Sequence, residues 1–83
     1  MDLPVWWDWE LEPSRHVRHR MTRRTFSETD LRVMLSAATD WRPAVTYGRF
    51  VIEVAHDGRP WEVVVEPDEL SGMLVVVTAY PVT

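Results

Sequence analysis

Cysteine is missing from the 83 residues, so the chain can build neither a disulfide framework nor a thiolate metal site, a composition that fits a reducing compartment. Lysine is missing too, and all nine basic side chains are arginine. The planar arginine fork suits phosphate oxygens. Residue usage over a whole chain nevertheless reflects genomic background before function. No stretch approaches the roughly 20 apolar residues needed to span a bilayer. Residues 1–12, with Asp2, Asp8 and Glu10, lack the cationic start and apolar run of a signal peptide, so a cytoplasmic address is expected. Hydrolase triads, glycine-rich phosphate loops, dinucleotide fingerprints and internal repeats are also absent. His16 and His19 stand at i, i+3 without a third ligand at a recognisable spacing, so neither a metal nor another cofactor is expected.

What is present describes one small packed domain spanning 1–83. A chain this short buries only about 60 to 65% of its unfolded surface, which leaves room for a partner to add stability. The 46% hydrophobic content and five tryptophans are those of a globule rather than a disordered chain. Net charge is −4, yet residues 14–24, SRHVRHRMTRR, hold five arginines and no acid, leaving 13 acids against four arginines elsewhere. A basic island sits in an acidic chain.

Periodicity places the elements. Trp7, Trp9 and Leu11 alternate with Asp8, Glu10 and Glu12, the period of a strand, which makes 1–12 an N-terminal strand segment ended by Pro13 and a candidate to face a partner. Ser14 is an N-cap for a helix to about Arg24, with Val17 and Met21 as its apolar contact. Ser27 and Asp30 form a variant capping box for a second helix, Phe26 and Leu31 its staple. Leu31, Met34, Leu35 and Ala38 give that helix a continuous stripe to about Thr39. Ala44 to Tyr47, Arg49 to His56, Trp61 to Glu66 and Met73 to Ala79 read as strands, with a type I′ hairpin turn at Asp57-Gly58. That turn sets Val54, Ile52 and Phe50 opposite Trp61, Val63 and Val65 on the core face. It also sets Glu53 opposite Glu62, a like-charge pair that solvent exposure or a nearby cation must relieve. The expected fold is α+β: two N-terminal helices on one face of a mostly antiparallel sheet of four to five strands, in the order β-α-α-β-β-β-β.

Chemistry concentrates on the first helix. His16, Arg20 and Arg24 at i, i+4 and i+8 form one stripe, with His19 and Arg23 beside it. Cations this close repel unless something negative lies between them. Glu10, Glu12, Glu53 or Glu62 of the same chain is one source; a phosphate is the other, with His16 exchanging protons near neutral pH. Metal-free RNA cleavage needs a base for the 2′-hydroxyl, an acid for the leaving 5′-oxygen and cations for the charge on phosphorus. Tyr80 offers a phenol and Thr78 a hydroxyl on the same face of the last strand, both otherwise ordinary packing residues. His56, before the hairpin turn, is read as a half-buried strand end rather than a second proton carrier. Of the tryptophans, one or two are assigned to surface recognition of a partner or to base stacking.

The run His16-Val17, Arg20-Met21, Arg24, Phe26-Ser27, followed by a helix and then by HDGRPWEVVVEPD and LVVVTAYP, resembles a bacterial domain of unknown function, from about Ser14 to Pro81. That family looks like part of the RelE/ParE-like toxin superfamily, within the barnase, EndoU, colicin and RelE-like ribonuclease folds. The resemblance implies a RelE-like fold and RNA cleavage, often on the ribosome. Carried over by position, His16, Arg20 and Arg24 match the helix motif, and Thr78 and Tyr80 the terminal strand motif. Thr25 stands where the family has glycine, which alters the helix cap more than the chemistry. The expected function is therefore a metal-independent endoribonuclease, the toxin of a toxin-antitoxin pair. Its partners are RNA, contacted also by Arg15, Arg18 and Arg23, and a small antitoxin protein. A non-catalytic interaction module of the same fold is the alternative, and a single-strand binder without cleavage a third reading.

Overall fold

A computed structural model describes residues 2–24 and 26–82. In chain order the elements are β1 (Glu10–Pro13), α1 (Arg15–Arg24), α2 (Glu28–Ser36), β2 (Asp40–Pro43), β3 (Phe50–His56), β4 (Arg59–Asp68) and β5 (Met73–Pro81). The strands form one sheet in the order β1-β5-β4-β3-β2. Only the β1–β5 pair is parallel. The architecture is the α+β arrangement read from the sequence.

The β3–β4 hairpin has the expected register, Val54 opposite Trp61, Ile52 opposite Val63 and Phe50 opposite Val65. Its turn needs two residues with positive φ, which Asp57 (52°) and Gly58 (72°) supply, as a type I′ turn requires. Both helix caps form as well. The Val17 amide donates to Ser14 Oγ at 3.1 Å. Ser27 and Asp30 close a reciprocal capping box at 2.8 and 3.1 Å.

Several boundaries differ from the sequence reading, β4 and β5 extending two residues beyond the expected strand ends. The Trp7–Glu12 alternation becomes a turn followed by a short strand, because Trp7 and Trp9 donate their amides at 3.1 Å to the carbonyls of Pro4 and Trp6. Trp6, outside that pattern, is the buried tryptophan of the segment. α2 ends at Ser36, before Thr39, since the Thr39 amide is taken by the Glu53 carbonyl at 2.9 Å and draws the chain into the sheet. Ala44 to Tyr47 is not a strand. The Ala44 amide bonds to Arg49 and the Arg49 amide to Thr46, closing a loop with Val45 and Tyr47 fully exposed. The strand is Asp40–Pro43 instead, an edge position where proline costs no ladder bond. Thr25 lies outside the described residues.

The helices cover one sheet face, and the core between them is continuous. Val17 of α1 and Leu31, Met34 and Leu35 of α2 meet Ile52, Val54, Trp61, Val63, Val65, Leu74, Val76 and Ala79. A bulge in β5 positions the functional residues of that strand. Val65 pairs with Val76 and Val64 with Thr78, so Val77 has no partner and the strand gains one residue. Val76 and Ala79 therefore both point into the core, while Thr78 and Tyr80 face the other side of the sheet.

Candidate functional site

Helix α1 begins where β1 ends, fixed by two bonds to β5: the Ser14 amide donates to the Val76 carbonyl at 2.9 Å and Ser14 Oγ to the Val77 carbonyl at 2.8 Å. Val17 is its one fully enclosed residue, with Met21 packed against the core edge. The rest of the helix is exposed except for a half-buried Arg20. His16, His19, Arg20, Arg23 and Arg24 line an open cleft of about 440 Å³. Arg20 Nε donates to His16 Nε2 at 2.9 Å, which engages that ring nitrogen as an acceptor. His16 is exposed to water.

Among the described residues, no arginine of α1 forms an ion pair. Glu53 and Glu62, two of the acids expected as neutralising partners of the stripe, are held elsewhere by Arg42, and Glu66 by Arg49. The first turn of α1 contains no acid, whereas Arg23 and Arg24 sit in the last turn, where the helix dipole favours cations. Arg18 Nε donates to the Pro13 carbonyl at 3.1 Å. Arg15 and Arg18 do not line the cleft, and Arg23 does. The described residues include no group of three or more His, Cys, Asp or Glu side chains that converge on a common point.

Thr78 and Tyr80 are brought together with each other on the open sheet face, and neither lines the α1 cleft. Tyr80 donates its hydroxyl to Glu62 at 2.6 Å. Arg42 bridges Glu62 and Glu53 at 2.9 Å each. That cation, more than solvent exposure, relieves the like-charge pair, since the Glu62 side chain is only 19% exposed. The Tyr80 hydroxyl and then Arg42 hold the Glu62 carboxyl below its ordinary 4.5. The same hydrogen bond, with partial burial, lifts the Tyr80 phenol above its ordinary 10.0. Thr78 Oγ1 is enclosed and has no hydrogen-bond partner among the described residues. The sequence reading missed Arg42 as a member of this network; the collision of Glu53 with Glu62 was the signal for it.

His56 is half-buried and packs edge-on against Trp61 with ring centres 5.3 Å apart, a strand-end role. Trp6 and Trp61 are core residues, while Trp7, Trp9 and Trp41 pack partly buried against them.

Fold and cleft together define a small α+β domain that presents a basic helix beside a mixed sheet. The model of a family described as "Domain of unknown function (DUF4258)" matches residues 14–81, and the chain belongs to that family. No curated protein and no solved structure matches the chain. The matched region starts at the α1 cap and ends with β5, so the tryptophan-rich turn and β1 precede it. No described helix is long and apolar enough to cross a membrane.

Proposed function

We propose that this chain is a metal-independent endoribonuclease of the RelE/ParE-like toxin class, acting on RNA in the cytoplasm and held inactive by a small antitoxin protein. One observation carries the reading: three guanidiniums and two imidazoles line a single open cleft, and none of those arginines is paired with a carboxylate among the described residues. A scissile phosphate supplies the missing negative charge. Arg20 and Arg24 bind its non-bridging oxygens, with Arg23 at the cleft wall and Arg15 and Arg18 contacting flanking phosphates.

When a phosphate draws Arg20 away, His16 Nε2 is released as an acceptor. It takes the proton of the ribose 2′-hydroxyl, whose oxygen attacks phosphorus. The P–O5′ bond breaks and the leaving oxygen gains a proton, giving a 2′,3′-cyclic phosphate and a 5′-hydroxyl end. His19, in the same cleft, or the His16 imidazolium supplies that proton. Thr78 and Tyr80, though matching the family's strand motif, stand on the other sheet face and have no direct part in this scheme.

RNA incubated with purified protein in EDTA tests the proposal. The wild type should cleave, and a His16→Ala, Arg20→Ala double variant should lose at least about 100-fold in rate. Equal background rates would sink it.

The alternative, a non-catalytic interaction module, is favoured by the engagement of Tyr80 with Glu62, which removes the phenol from any cleavage step. Overexpression separates the two. Growth arrest abolished by His16→Ala speaks for the nuclease, and harmless accumulation of folded protein for the module.

A further inference from the structure

A second cleft lies away from α1, where the turn before β1 meets α2. The amide bonds of Trp7 and Trp9 fix this turn, and Trp6 braces it from below. The Trp6 ring is buried, with its centre 5.9 Å from Trp7, 4.9 Å from Phe50 and 5.7 Å from Trp41. Trp7, Asp8 and Trp9 of the turn, with Leu11, face Arg32, Leu35 and Ser36 of α2 across a cleft of about 260 Å³. Its floor is apolar, since Leu11 and Leu35 are each 9% exposed. A volume below the roughly 300 to 1,000 Å³ of drug-sized sites suits one ring system rather than a helix.

Charge placement narrows the occupant. Asp8 and Arg32 line the same cleft with opposite charges, yet they form no ion pair within 4.0 Å. A ligand lying between them must offer hydrogen-bond donors to the carboxylate and acceptors to the guanidinium, and its flat faces must suit indole. An apolar peptide side chain meets only the last requirement.

We propose that this cleft binds a nucleobase, guanine, against the tryptophans. Guanine presents N1–H and its exocyclic amine side by side to the Asp8 carboxylate, and O6 and N7 as acceptors to Arg32. Adenine and cytosine offer a carboxylate only an exocyclic amine, and uracil flanks its single N–H with carbonyls. Trp7, Asp8, Trp9 and Leu11 precede the matched family region, while Arg32, Leu35 and Ser36 lie within it. As a subsite for a base of an RNA substrate it rests on the nuclease reading; the binding itself does not.

The test titrates the full chain with GMP, AMP, guanosine and inorganic phosphate, following tryptophan fluorescence and the indole N–H signals in NMR. GMP and guanosine should both quench and shift the Trp7 and Trp9 indoles, with GMP favoured over AMP by about tenfold. Phosphate alone should leave those signals still. Asp8→Asn should erase the preference for guanine, and Trp7→Ala or Trp9→Ala should weaken binding about 5- to 100-fold. Asp8→Asn and Arg32→Gln alter exposed residues, so they report even where a tryptophan variant fails to fold. Equal response to GMP and AMP in wild type and Asp8→Asn, or stationary indole signals in folded protein, would overturn the pocket. Cleavage without guanine preference would discard the pocket and keep the nuclease. Guanine binding without cleavage would do the reverse.

Discussion

Helix α2 buries Leu31, Met34 and Leu35, carries Glu28 and Asp30 in its first turn and seals its N-terminus with a capping box. Helix α1 is one residue longer, buries Val17 alone, has no acid in its first turn and carries its arginines in the open. The two follow each other in the chain and share a sheet face, α1 against β5 and α2 against β3. Folding requirements account for nearly every feature of α2. They account for few of α1, where clustered cations cost stability and the capped first turn carries no acid. Residues that the fold does not need, and that oppose it, point to a ligand.

The contrast is tested most severely by trading stability against activity. Leu31→Ala should cost about 2 to 5 kcal/mol in denaturant unfolding, because it opens a cavity in a closed core, while the proposed RNA cleavage, per folded molecule, stays unchanged. Arg23→Ala should do the opposite, shifting stability by no more than about 0.5 kcal/mol while slowing cleavage. If both variants lose stability alike, α1 is as structural as α2 and the division fails.

The caps sharpen the comparison at a smaller scale. Ser27→Ala removes the box of α2 and should cost about 1 kcal/mol. Ser14→Ala removes the α1 cap and also the bond from Ser14 Oγ to the Val77 carbonyl at the bulge, so about 2 kcal/mol is expected. Urea midpoints of the two variants decide it. Equal losses would mean that the side-chain tie to β5 contributes nothing beyond the Ser14 amide bond to Val76 and the burial of Val17.

Local signals made much of this legible. Asp57-Gly58 dictates a turn type, the turn dictates the hairpin register, and the register placed Val54, Ile52 and Phe50 correctly without any structure. Ser14 and Ser27 mark helix starts for an equally local reason, the unsatisfied amides of a first turn. Where the reading failed, partners distant in sequence decided. Val45 and Tyr47 have strand-like chemistry, but a strand exists only where β3 can pair with it, and that place is Asp40–Pro43. The unpaired Val77 leaves no trace in a run of valines, although it alone puts Val76 and Thr78 on opposite faces. The basic stripe of α1 was visible because it is helical and local. The Arg42–Glu62–Tyr80 network was not, because its members come from three strands.

That network gives the smallest predicted effect, and its sign can be worked out. Glu62 is held below its ordinary 4.5, so its contribution is complete above the unfolded value and fades as pH falls through the lower folded value. Tyr80 is lifted above 10.0, so its contribution is complete below the unfolded value and fades as pH rises through the higher folded one. Arg42, held above its ordinary range chiefly by its bond to Glu62, stays charged across both windows. Replacing Arg42 by methionine leaves Glu53 facing Glu62 with no cation between them. The variant should therefore lose more stability at about pH 7, where the Glu62 carboxylate is charged, than in strong acid, where its protonation relieves the repulsion. Tyr80→Phe should flatten the alkaline limb above about pH 10 and soften the acid limb as well. Removing arginines of α1, which pair with no carboxylate among the described residues, should lower neither limb. Thermal melts across pH carry the comparison to its end. If Arg42→Met runs parallel to the wild type from about pH 7 into strong acid, the bridge between the glutamates adds nothing to the fold, and the sheet's cations are as free as those of the helix.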